Sequence, residues 1–69
     1  METNQLIAII KEFNGKNCIL RLTNGQLVTG IIGEVQQNTK SCEREVMLAI
    51  EKNSFILILL TSIVALCIA

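Results

Sequence analysis

Apolar residues open the chain at spacings of three and four: Leu6, Ile7, Ile9, Ile10 and Phe13. That spacing lines one face of a helix and predicts one over about residues 2–13. Thr3 suits an N-cap, Gly15 suits the left-handed residue that ends a helix, and Lys11 falls in the last turn, where the helix dipole favours a cation. A helix with one apolar stripe serves as a lid on a sheet, whereas a membrane-surface helix carries more Lys and Arg on its polar face. From Asn17 the period drops to two: Cys18, Leu20 and Leu22 point one way, Ile19, Arg21 and Thr23 the other. Asn24-Gly25 follows, a dipeptide that tolerates the positive φ of a type I′ turn, so strands over 17–23 and 26–36 are expected to form a hairpin. Val28, Gly30 and Ile32 share one face of the return strand, and Gly30 and Gly33 predict a sharp bend or a close backbone approach.

The polar stretch from Gln37 to Cys42 reads as a loop. After it, Val46, Leu48 and Ile50 alternate with Met47, Ala49 and Glu51, which predicts a strand over 43–51 with Glu43, Glu45 and Met47 on a solvated face. The last fifteen residues, Phe55 to Ala69, contain no charge, Gly or Pro, and must be hidden in lipid or in protein. As a helix this run would be ~22 Å long against a hydrocarbon core of ~30 Å, too short to span in comfort. Its β-branched content (Ile56, Ile58, Ile63, Val64 and Ile68) and the polar Thr61-Ser62 in the middle favour strand, turn and strand, over 55–60 and 63–68. Both strands are apolar on both faces, the pattern of strands covered on two sides, and a chain of 69 residues has too little body to cover them alone. A second copy is the natural cover. Phe55, Leu57, Leu59, Ile63, Val64, Leu66 and Ile68 are the residues expected at such an oligomer interface. The fold class is therefore mostly β: one domain over 1–69, a short helix and then five bent antiparallel strands forming a small, partly open barrel.

Composition narrows the chemistry. Six Lys and Arg balance six Asp and Glu, so no long-range field draws in nucleic acid; DNA is not an expected partner, and RNA contact would have to be local. The chain has no His, Asp, Tyr or Trp, and neither of its two Phe residues stands in a pattern that suggests a base-stacking platform. Cys18, Cys42 and Cys67 form no CxxC pair, which argues against a zinc site and a disulfide framework and for reduced thiols. Cys42 alone has cationic neighbours, Lys40 and Arg44, and its expected role is that of a spectator at the end of a loop rather than a reactive thiol. The paired carboxylates Glu43 and Glu45 could in principle do acid–base work, but as alternating residues of a strand they are expected to be solvated surface groups. No catalytic, metal-binding or cofactor-binding residue is expected. The first ten residues show no basic region before an apolar core and no cleavage site, so a cytoplasmic location is expected and a membrane location is not.

The helix, Gly15-Lys16, the alternation Cys18, Leu20, Leu22, the turn at Asn24-Gly25 and the spacing Val28, Gly30, Ile32 resemble the Sm and Sm-like (Hfq-like) superfamily. The likeness runs from Leu6 to Ile50 and resumes at Phe55, and the final TSIVALCIA resembles the fourth turn and fifth strand of that family. The resemblance implies a small Sm-like barrel of SH3 type that joins edge to edge into a ring and binds RNA. Its uridine-binding signature is missing: the corresponding segments read EVQQNTKSC and Leu60-Thr61-Ser62, with no Arg, Gly or His to hold a base. The candidate RNA contacts that remain are Gln36, Gln37, Asn38 and Lys40 in one loop and Thr61 and Ser62 in another. The expected function is that of a non-enzymatic homo-oligomeric ring, binding RNA or acting as a scaffold for RNA and protein assembly. The alternative is a small membrane protein anchored by its C-terminal run.

Overall fold

The apolar stripe near the start of the chain does form a helix. In the computed structural model, which describes residues 3–51 and 53–69, α1 spans Thr3–Glu12 with Lys11 in its last turn and Leu6 and Ile10 buried. The expected helix start at Glu2 lies outside the described residues. Gly15 takes a positive φ of 82° in a further turn, which the Lys16 N–H closes on the Phe13 carbonyl. Five strands follow: β1 (Asn17–Leu22), β2 (Leu27–Gln37), β3 (Arg44–Glu51), β4 (Ser54–Leu59) and β5 (Ile63–Ile68), with a 3₁₀ turn over Leu60–Ser62 before the last. They form one antiparallel sheet in the order β4-β3-β2-β1-β5. The sheet bends but does not close into a barrel, because β4 and β5 are its two edges and pair only inward.

The β1–β2 turn differs from the type I′ expectation. Asn24 is not among the residues with positive φ; only Gly25 is, at 84°. The Gly25 N–H reaches the Leu22 carbonyl and the Leu22 N–H reaches the Gln26 carbonyl, both at 2.9 Å. This is a three-residue loop, a type I turn whose following residue is left-handed, so it needs one glycine rather than two permissive residues.

Alternation of side chains builds the core. Cys18 and Leu20 of β1, Ile32 of β2, Val46 and Leu48 of β3, Ile58 of β4, and Leu60 and Ile63 beyond it are buried together under Leu6 and Ile10 of α1. Gly30 permits this closeness: a Cβ there would stand 2.7 Å from the Ala49 carbonyl oxygen and 2.8 Å from Leu48 Cγ. The bend in β2 is a bulge in which Gly33 and Glu34 oppose Met47 alone, since Ile32 pairs with Leu48 and Val35 with Val46. A second irregularity lies in β3, where Ala49 pairs with Phe55 and Glu51 with Ser54. It leaves Ile50 as the extra residue, exposed rather than on the inner face as its place in the alternation suggested. Further register changes separate Arg21 from Leu22 opposite β5, and Val64 is the residue left over.

Candidate functional site

Two features of the protomer are open to a partner: the free edges of the sheet and the loop end between β2 and β3. β4 presents Phe55 and Leu57 to solvent, 56 and 43 % exposed, while its alternate residues Ile56 and Ile58 face the core. β5 exposes Val64 and Ile68 and packs Leu66 against the core. Leu59 is half-buried. Ile63 departs from the interface expectation: at 5 % exposure its side chain belongs to the protomer's own core, so it can offer an adjoining chain only backbone groups. The others keep apolar surface beside an unpaired row of backbone donors and acceptors.

The loop from 38 to 43 is built on Asn38. Its Oδ1 accepts the N–H of Lys40 at 2.8 Å and of Ser41 at 3.1 Å, and its Nδ2 donates to Glu45 Oε1. Its backbone N–H bonds the Glu43 carbonyl, and its carbonyl receives the Cys42 N–H. Gln37 Nε2 donates to the Cys42 carbonyl, and Cys42 itself has a φ of 59°. The side chain of Asn38 is therefore spent inside the loop, as is the Gln37 amide N–H; of the four candidates at this end, Gln36 and Lys40 stand exposed with no side-chain bond of their own among the described residues. Glu45 corrects the expectation of a solvated face shared with Glu43: it is 5 % exposed and tied to Asn38, while Glu43 is exposed. Asn38 followed by short polar residues was the signal for this, since an Asn side chain readily caps the amides two and three residues on.

Strand register brings the two candidate RNA segments to one end of the molecule. Glu45, the second residue of β3, pairs with Leu59, the last of β4, so the 3₁₀ turn carrying Thr61 and Ser62 begins beside the Asn38 loop. The Ser62 carbonyl also accepts the Thr23 N–H at 2.9 Å, which ties that turn to the β1–β2 hairpin. Neither contact follows from residue spacing. All three cysteines are free: Cys18 lies buried in β1 with the exposed Cys67 one register step away on β5, and Cys42 is exposed in the Asn38 loop. Burial pushes the Cys18 thiol above its ordinary value; Cys67 adds to the shift and Lys16 opposes it. A surface cleft of about 420 Å³ between α1 and the β2 bulge is lined by Ile10, Lys11, Asn14, Gly33, Glu34 and Val35. Among the described residues, no group of three or more Cys, Asp or Glu side chains is placed to hold a metal ion.

No protein-family model matches the chain, and neither does any curated protein or solved structure.

Proposed function

We propose that the chain is a non-enzymatic, Sm-like subunit of a homo-oligomeric ring, in which β4 of one copy pairs with β5 of the next. One observation carries the reading: a single open sheet ends in two strands unpaired on their outer edges, and each leaves large apolar side chains in solvent, Phe55 and Leu57 on β4 and Val64 and Ile68 on β5. An edge of one kind at each end of the sheet makes a head-to-tail contact, and such a contact either closes into a ring or runs on as a fibre. Ring closure satisfies every edge and covers Phe55, Leu57, Val64 and Ile68. It also repeats the Gln36, Lys40, Thr61 and Ser62 end of each copy around a common opening, giving weak local recognition of an RNA backbone that net charge conceals. The membrane-anchored alternative draws no support from the tail, which is strand, turn and strand; no helix among the described residues is long and apolar enough to cross a membrane.

Size-exclusion chromatography with light scattering tests the ring, and a monomer at micromolar concentration contradicts it. Filter binding of short A-rich and U-rich RNA at low salt tests the loop end. Retention that weakens as salt rises supports phosphate contacts, and no retention of either RNA leaves a ring that serves protein partners alone.

A further inference from the structure

The chain holds two Asn-Gly steps, Asn14-Gly15 and Asn24-Gly25, and the fold treats them differently. An asparagine followed by glycine loses its side-chain amide when the glycine nitrogen, freed of its proton, attacks Cγ. The glycine carries no side chain to obstruct that approach. In the folded chain both nitrogens are held by hydrogen bonds, so reaction waits for local opening.

At Gly15 the opening is costly. Its N–H donates to the Ile32 carbonyl at 2.8 Å, and Ile32 returns its own N–H to the Lys16 carbonyl at 3.1 Å. Ile32 is in the core, so freeing Gly15 means lifting the helix–strand connection from a buried residue of the central strand. At Gly25 the acceptor is the carbonyl of Leu22, the last residue of β1 three positions back, so that bond closes a local turn and can break with the rest of the sheet in place. Gln26 holds the Asn24 side chain at both ends: Oδ1 accepts the Gln26 N–H at 2.9 Å, which polarises Cγ and can hold the oxyanion formed on attack, and Nδ2 donates to Gln26 Oε1 at 3.4 Å. No side-chain hydrogen bond holds the Asn14 amide among the described residues.

We propose that Asn24 is a site of spontaneous deamidation and that the fold shields Asn14. A solvent base takes the Gly25 amide proton, the nitrogen bonds to Asn24 Cγ, and the Cγ–Nδ2 bond breaks with release of ammonia, leaving a five-membered succinimide. Water then opens the ring at either carbonyl, giving aspartate or isoaspartate; the net change is one water consumed and one ammonia released. Either product adds a negative charge to the hairpin tip, and isoaspartate also lengthens the main chain inside a loop whose two hydrogen bonds depend on its length. The loop is joined through Thr23 to the turn that precedes β5. The inference does not rest on ring formation.

Incubation of the folded chain at mildly alkaline pH, followed by proteolysis and peptide mass spectrometry with isoaspartate-specific fragmentation, tests it. Asn24 should convert about ten-fold faster than Asn14, and the two rates should come together when the chain is unfolded in urea. Equal rates in the folded chain, faster loss at Asn14, or the same ratio with and without urea would overturn it.

Discussion

In β1 the side chains that leave the core, Asn17, Ile19 and Arg21, are a polar residue, an apolar one and a charge, whereas in β4 they are Phe55, Leu57 and Leu59. Both strands bury their alternate residues in the same cluster, Cys18 and Leu20 in one and Ile58 in the other. β1 has a strand on each side, β2 and β5, while β4 has β3 alone. The middle of the sheet thus finishes its hydrogen bonding, and the burial of its inner face, within the protomer, while Leu27 and Ile31 of β2 stay exposed on the other face. The edges leave both unfinished, and that surplus is what the proposed ring would absorb.

Substitutions that act on the core and not on the edges should separate these two regions. Leu48→Ala empties a fully buried site among Ile32, Val46 and Ile58 and is expected to cost ~2–5 kcal/mol, read as a fall in the urea midpoint. A change under ~0.5 kcal/mol would mean that this cluster is not the protomer's core. Asn38→Ala removes three hydrogen bonds and strands the buried Glu45 carboxylate, for an expected loss of ~1–3 kcal/mol in thermal unfolding. An unchanged midpoint would show the loop to be independent of β3.

A smaller effect should follow pH. Because burial raises the Cys18 thiol, the folded state keeps its proton after the unfolded chain has lost it, so stability is full below the ordinary thiol value of 9.0 and falls as pH climbs past it. Urea midpoints collected across that range should slope downward, and Cys18→Ala should flatten that part of the curve even though it lowers the midpoint. The smallest change in protomer stability is expected for Leu57→Lys on the exposed side of β4: within ~0.5 kcal/mol when measured at concentrations too low for assembly. At higher concentrations the same substitution should abolish oligomers, and oligomers that survive it would remove β4 from the proposed interface.

Much of this architecture was legible in residue order. The helix, all five strands and the break at Thr61-Ser62 follow from a change of period and from turn residues, and the close approach at Gly30 follows from a glycine in an otherwise apolar strand. What residue order did not carry was set by register. The bulge in β3 turns Ile50 outward although its neighbours two and four back are buried, and pairing with Leu22 draws Ile63 inward although it belongs to an edge strand. A slip of one residue exchanges the faces of a strand, and local pattern contains no record of where the slip occurs. The Asn24-Gly25 turn shows the same limit: the dipeptide marked the hairpin but not its loop length, which the cross-strand bonds of Leu22 determine. At the loop end, sequence located the polar residues and missed that Asn38 and Gln37 are already engaged within the loop.

The proposal depends most directly on the mass of the chain under native conditions. Native mass spectrometry at micromolar concentration should give a single closed species at a whole-number multiple of 7.6 kDa, reverting to 7.6 kDa with Leu57→Lys. A wild-type chain that remains at 7.6 kDa across that concentration range would contradict the pairing of β4 with β5 between copies.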